Sequence, residues 1–450
     1  MTSLRPQAPR LTIPVTRREI FGWAMFDFAN SCYTTVVITL AYSKFFVSHI
    51  VPSGSRFENS YWSIAIILST VVALVLSPLA GAIIDYSGRK KRALVASCIV
   101  CAIGTAMLAL AGPGQVWLAI GLIVLSNAAF MMSEAFCASF LPELSTPKTM
   151  GKISGLGWGV GYLGGLLSAA LTMLVIVRSD PAVDSAGYVR ENQLAMIAMG
   201  AFFLIAALPT FVLVRNRSLP VPGYERAGWG ALVRAGFKEL RETAAIASRH
   251  RILFQFLVAF MVYMAGLDAI VKFVGIYAEQ EVQLTGAELI NLFIVLQLFA
   301  AGGALGFGWL ESRIGPKRTV MATLFWWIVG VVGIYFMRQL AAVFAVDPKT
   351  VFYALGMIAG SGIGATQASS RTVVGLLAPP DRVAQMFGFW GMFSRLGSIL
   401  GAVGFGLASD LFSRRSAVLV LVAFFAIGAA LLWRVDVERG VREAQGDLAG

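Results

Sequence analysis

Apolar side chains run along this chain in long uninterrupted stretches parted by short polar segments. Twelve stretches reach about twenty residues, the length a helix rising ~1.5 Å per residue needs to cross a hydrocarbon core of ~30 Å. They predict helices over residues 20–47, 60–84, 93–112, 116–140, 153–177 and 192–214, then 252–278, 287–310, 318–338, 350–370, 385–409 and 416–434. A backbone in lipid must satisfy its own hydrogen bonds, and no period-2 barrel alternation is seen, so the stretches read as helices. The sequence RNRSLPVPGYERAGWGALVRAGFKELRETAAIASRHR, residues 215–251, divides them six and six. Within it, 229–249 predicts an interfacial helix, with Leu232, Ala235, Phe237, Leu240, Ala244 and Ile246 alternating loosely with charges. The expected organisation is a tail over 1–19, a six-helix bundle over 20–214, the linker 215–251, a second bundle over 252–434 and a tail over 435–450.

Composition narrows the class. The chain of 450 residues is 58 % hydrophobic and 13 % charged, with too little polar surface for a water-soluble domain. A net charge of +12 would suit nucleic acid, but the basic residues sit in short loops with no soluble recognition domain. Membrane insertion explains them better. Placing both termini in the cytoplasm puts 26 of the 36 Lys and Arg inside and 7 outside, with Lys44, Lys272 and Arg395 within spans. Arg414 and Arg415 are a local exception in an outer turn. No cleavable signal peptide precedes the first span, which is expected to direct its own insertion. Cys32, Cys98, Cys101 and Cys137 lie in apolar runs and read as small buried hydrophobes, and His49 and His250 are too far apart for a metal centre. No cofactor is expected.

An internal repeat underlies the two halves. GAIIDYSGRKK at 81–91 aligns with GWLESRIGPKR at 308–318, matching Gly81 with Gly308, Gly88 with Gly315 and Lys90 with Lys317 at an offset of 227. Pro147, Gly155 and Gly164 match Pro380, Gly388 and Gly397 at an offset of 233. Two nearly equal offsets at corresponding spans predict duplicated halves.

Rare polar residues inside the spans are the candidate chemistry. Asp27, Asn30, Ser31 and Thr34 share one face of the first span, either lining a cavity or gate or forming an interhelical hydrogen-bond knot. Asn127, Met131 and Glu134 lie on nearly one face of the fourth. Asp27 and Glu134 both stand ~10 Å inside the membrane, and if they approach, one can hold a proton at neutral pH; a structural pair or separated acids are the alternatives. Asp268 and Lys272 form an i,i+4 pair in the seventh span, self-neutralised or switchable beside a substrate path. Arg395 stands alone near the middle of the eleventh, on a face with Gly391, Ser394 and Ser398, suited to a carboxylate or phosphate or to pairing with another helix. Gln297 and Gln367 are weaker candidates. In GAIIDYSGRKKR, Gly81 permits close approach, Gly88 a tight turn, and Asp85 can face the N-terminus of another helix. Arg89 and Lys90 complete a conformational gate, or else mark simple topology. The segment lacks GxxxxGK[ST] and is no phosphate loop. Glycines 157, 161 and 165, 356, 360 and 364, and 302 and 306 recur at i+4, predicting close and movable helix packing, with Trp158 and Tyr162 beside the first array.

These motifs resemble the major facilitator superfamily, and GWAMFDFANSCYTT, PLAGAIIDYSGRKKR and LPELSTPKTMGKISGLGWGVGYLGG resemble its vacuolar amino-acid effluxer branch, which is autophagy-related. The resemblance implies a twelve-helix major facilitator fold of two six-helix bundles about a central cavity, alternating access, and a gating role for Asp85 and Arg89. It also makes Asp27 and Asn30 family-pattern residues. The second loop departs, with Ser312 opposite Asp85 and Pro316 opposite Arg89, so Gly315 and Lys317 would gate through other contacts. Lys272 departs too, and amino-acid specificity does not transfer.

The expectation is therefore a secondary transporter of a small organic solute, amino-acid-like or anionic, with proton coupling as a hypothesis. A proton-driven drug or metabolite exporter is the alternative, and a passive channel or non-transporting receptor or scaffold the further ones. Expected partners are membrane lipid, the solute and protons, with a monomer as the default state. A cell membrane is the expected location. An enzyme is not expected, because the polar residues assemble into no hydrolase or metal template.

Overall fold

The structure is a computed structural model that describes residues 13–52, 58–224, 228–241, 250–411 and 414–445. Among these residues the chain is helical, with no sheet. We label α1 Arg17–Cys32, α2 Glu58–Ser87, α3 Lys90–Met107, α4 Val116–Ala138, α5 Met150–Ala170 and α6 Ser185–Leu213. The linker holds α7 Trp229–Arg241. There follow α8 Arg251–Gln280, α9 Gly286–Ile314, α10 Pro316–Tyr335, α11 Pro348–Leu377, α12 Val383–Leu411, α13 Arg414–Trp433 and α14 Val437–Gln445. Nine helices among the described residues are long and apolar enough to cross a membrane, or up to eleven if each of two bent pairs counts as one span. The molecule is an all-α polytopic membrane protein.

Local sequence explains the ends. Thr16 accepts a hydrogen bond from the Glu19 N–H to open α1, and Asp184 does the same from Gly187 for α6. Thr285 and Glu288 cap α9 reciprocally. Pro316 and Pro348 begin α10 and α11, where a missing N–H costs nothing. The first span does not stay α-helical. Beyond Cys32 the turns widen to π-type over Tyr33–Leu40, and again over Phe46–Ile50. The Thr39 hydroxyl donates to the Thr34 carbonyl five residues back, a spacing suited to the wider turn.

Two compact units form. Unit 1 comprises Met1–Leu144, Val160–Leu240 and Asp381–Gly391; unit 2 comprises Ser145–Gly159, Arg241–Pro380 and Met392–Gly450. Thus α5 begins in unit 2 and ends in unit 1, while α12 does the reverse. Within unit 1 the dominant packings are α1 on α6, α2 on α4, α3 on α4 and α3 on α6. Within unit 2 they are α8 on α13, α9 on α11, α10 on α11 and α10 on α13. These are the same four pairings shifted by one repeat.

Two expectations change. Gly302 and Gly306 face open space on α9, and the close approach to α11 is made by Gly303, where an added Cβ would strike the Ser361 carbonyl. The i+4 spacing placed the glycines on a common face but could not say which face meets protein. In the linker, α7 covers 229–241; Leu232 and Ala235 are buried and Phe237 is exposed, while Ala244 and Ile246 lie outside the described residues. Gly236 packs on Leu79 and Ile83, which holds α7 against α2 in unit 1.

Candidate functional site

Asp85 sits at the end of α2 and accepts hydrogen bonds from the backbone N–H groups of Ala384, at 3.1 Å, and Gln385, at 2.8 Å. Those donors belong to the first turn of α12, whose N–H groups have no partner within their own helix, so the carboxylate both caps them and opposes the helix dipole. Gly81 and Gly388 make the approach possible. A Cβ on Gly81 would collide with the Ala384 carbonyl, and one on Gly388 with the Ser77 carbonyl and Pro78. Gly88 turns the chain at φ +63°, and a Cβ there would meet Leu219 and Pro220 of the linker. Asn216 Nδ2 donates to the Gly88 carbonyl and the Val221 N–H to that of Tyr86, so the linker's first residues seal this corner.

The two cations of the motif divide. Arg89 is exposed at the start of α3. Lys90 is buried, its Nζ donating to Glu143 Oε1 at 2.6 Å and to the Ser139 carbonyl at 3.2 Å, above the Phe140 ring. Lys90 is thus a structural tie between α3 and the turn after α4. A second buried pair joins Glu19 to Arg217 through two hydrogen bonds of 2.5 and 2.8 Å, and Glu19 also accepts from the Arg215 N–H. Burial by itself pushes the Glu19 carboxyl up, but the bonds and charges of Arg217 and Arg215 outweigh it and hold the group below its usual range.

Unit 2 repeats the close approach. A Cβ on Gly308 would strike the Gly151 carbonyl, and one on Gly155 the Ala304 carbonyl. With offsets of 227 and 233, Gly308, Gly151, Gly155 and Ala304 are the counterparts of Gly81, Ala384, Gly388 and Ser77. Both units therefore make the same pair of glycine contacts. The acid differs: Ser312 stands in register with Asp85, and Glu311, one residue earlier and 4 % exposed, packs against Gly151 instead. Arg371, 2 % exposed, donates through Nε to Ser154 Oγ at 3.0 Å and through Nη2 to the Ser154 carbonyl at 2.9 Å, with Trp158 under its guanidinium. Sequence reasoning missed both residues because it ended the eighth span at 310 and the tenth at 370, whereas α9 runs to Ile314 and α11 to Leu377. Continued 3.6-residue periodicity past Gln367 was the available signal.

The remaining candidates separate by surroundings. On α1, Asp27 and Asn30 are buried and Ser31 is half-buried, while Thr34, in the wide-turned stretch beyond it, is exposed. Gly161 of α5 packs on Asp27 and Ser31, while Asn30 Oδ1 is buried with no hydrogen-bond partner among the described residues. Asn127 Nδ2 donates to Ser69 Oγ at 2.7 Å and locks α4 to α2. Glu134, Gln297 and Gln367 are half-buried. Arg395 does not stand alone: Asp268 feels the charges of both Lys272 and Arg395 and a hydrogen bond from Ser398, and Lys272 Nζ donates to Ser398 Oγ at 2.6 Å. Asp268 and Lys272 thus meet at Ser398 between α8 and α12, within reach of the Arg395 charge. Gly315 takes φ +84° to end α9, and Lys317 donates to the Trp433 carbonyl at 2.9 Å. The four cysteines are buried as free thiols, and the described residues contain no cluster of metal-ligating side chains.

Comparison with known proteins places this geometry. The proton:xylose symporter XylE superposes with a TM-score of 0.70 over 95 % of this chain and 97 % of its own, at 11 % identity. The transporter FucP in its outward conformation gives 0.68 over 92 % and 97 %, at 14 % identity. These likenesses establish the major facilitator fold. An MFS-type transporter, YxiO of Bacillus subtilis (strain 168), is 27 % identical over 433 residues, covering 95 % of this chain and 97 % of that protein. Autophagy-related protein 22 of Pichia angusta is 25 % identical over 497 residues, covering 98 % and 85 %. The family model described as vacuole effluxer Atg22 like matches residues 47–445. The chain belongs to the Atg22-like vacuole effluxer family, and is a transport protein of the major facilitator fold rather than an enzyme.

Proposed function

We propose that the chain is a proton-coupled secondary transporter that moves a small zwitterionic or anionic organic solute by alternating access, and that Asp268, Lys272 and Arg395 recognise it. The observation that carries the solute class is the meeting of Asp268 and Lys272 at Ser398 within the field of Arg395. The Arg395 guanidinium is a planar fork suited to a solute carboxylate or phosphate. Asp268 supplies the complementary acid for an ammonium group. Asp27, Asn30 and Glu134 form the proposed proton and solute path, and Asp85 with Gly81 and Gly88 the gate. The family's description as a vacuole effluxer and the proton:xylose symporter of similar fold are consistent with this reading.

The repeat supports the finer architecture: α1–α6 and α8–α13 as two six-helix halves, with the wide-turned first helix completing twelve spans. The charge bias supports cytoplasmic termini.

Reconstituted flux with a solute panel, with and without imposed proton and sodium gradients, tests the reading. Uptake of an amino-acid-like or anionic solute that responds to the proton gradient is the expected result; flux indifferent to that gradient would remove the coupling. Arg395→Lys keeps the charge and loses the fork, so the solute KM should rise about tenfold, the worth of one hydrogen bond at ~1.4 kcal/mol. An unchanged KM would remove Arg395 from recognition.

A further inference from the structure

The repeat makes the two corners after α2 and α9 directly comparable, and they are filled differently. In unit 1, Gly88 lies under Leu219 and Pro220, and the nearby cations Lys90 and Arg217 are buried in pairs with Glu143 and Glu19. In unit 2, nothing lies within 4 Å of a Cβ on Gly315, and a cleft of about 840 Å³ opens between Gly315–Arg318 and the chain leaving α13. Lys317, the repeat counterpart of Lys90, meets a backbone carbonyl there instead of a carboxylate. Arg318 and Arg434 line the same cleft, and Arg434 also lines an adjoining one of about 400 Å³ with Arg251.

Among the described residues none of these four cations forms an ion pair. Asp436 and Glu438 reach the larger cleft, but Asp436 Oδ1 is engaged by the Arg439 N–H at the start of α14. Four positive charges thus face two acids. The smaller cleft is also amphipathic along its length. Arg251 and Arg434 stand at the helix ends, and Phe254, Val258 and Leu431 continue its wall along α8 and α13. Trp433, 73 % exposed at the end of α13, has the character of a residue at the level of lipid headgroups. A free phosphate would use the charged end alone, whereas a phospholipid uses both.

We propose that this corner of unit 2 is a docking site for an anionic phospholipid, its phosphate held by Lys317, Arg318, Arg434 and Arg251 and its acyl chain laid along Phe254, Val258 and Leu431. The lipid anion takes the place that Glu143 and Glu19 occupy in unit 1. The site is separate from the proposed transport path and does not depend on it.

The full chain in neutral detergent is titrated with phosphatidylglycerol, with phosphatidylcholine of the same chains, and with inorganic phosphate, reading bound lipid by native mass spectrometry and the unfolding temperature in parallel. Phosphatidylglycerol should bind saturably and raise the unfolding temperature, and the other two should do neither. Lys317→Gln with Arg434→Gln removes two charges while the new amide at position 317 can still donate to the Trp433 carbonyl, and it should weaken binding about thirtyfold. Lys317→Arg with Arg434→Lys should retain it. Arg190→Gln, outside the cleft, should match the parent. Unaltered affinity in the double Gln protein, with its unfolding temperature in phosphatidylcholine equal to the parent's, would overturn the proposal. So would equal binding of the two lipids, or displacement of phosphatidylglycerol by inorganic phosphate.

Discussion

Asp85 puts a full charge where α12 has only partial ones to answer it. Asp85→Asn keeps the size and one acceptor while losing the charge that opposes the helix dipole, a change of about 0.5–2 kcal/mol. If that contact forms and breaks in the cycle, flux in proteoliposomes should fall about tenfold while the folded yield is unchanged; parental flux would leave Asp85 a purely structural cap. The role was legible because GAIIDYSGRKKR puts an acid beside a glycine at a helix end. The role of Lys90 was not. Its partner lies 53 residues away, on a turn that no spacing rule connects to it. Removing one member of a buried pair strands the other, so Lys90→Met alone should destabilise by about 3–5 kcal/mol, with Lys90→Met and Glu143→Leu together recovering most of the loss in thermal unfolding. Arg395 shows the converse: its face on α12 was readable, but the company of Asp268 and Lys272 required the packing of α8 on α12.

At the scale of elements, the apolar stretches located the spans because only uninterrupted side-chain hydrophobicity is compatible with lipid. Their ends were less legible. A helix continues past its lipid-exposed portion when protein covers it, which is why α11 extends seven residues beyond the apolar run and carries Arg371 into a buried site. The wide turns after Cys32 were also hidden, since hydroxyl-to-backbone bonds leave no hydropathy signature. The linker is a third case: it reads as a basic segment, yet Arg217 is buried against Glu19 at the start of α1, while Asn216 and Val221 bond the end of α2. Because the Glu19 carboxyl is held below its unfolded value, its contribution is fully present above pH ~4.5 and fades as pH falls through the folded value. The unfolding-temperature gap between the parent and Glu19→Gln should therefore be widest near neutrality and close as pH falls through the folded value, below the ordinary carboxylate range. A gap independent of pH would mean that the pair's charge contributes nothing.

For the whole molecule, the repeat is the strongest regularity. Offsets drawn from a few glycines and prolines predicted duplicated halves, and the helix pairings and glycine-to-carbonyl contacts recur at those offsets, because a backbone-to-backbone approach tolerates no side chain and so leaves a mark in sequence. Solute identity leaves no comparable mark, since three charged groups suit many small molecules. The exchange of helix ends between units has a genetic corollary. A gene cut within the linker would yield two polypeptides that are each short of a piece: the first without Asp381–Gly391, the second without Ser145–Gly159. Neither should be monodisperse when made alone, and both should be rescued by simultaneous synthesis in one cell, measured as recovery of a stable heterodimer by affinity capture. Each half of such a gene therefore encodes a unit whose last strip is written in the other half.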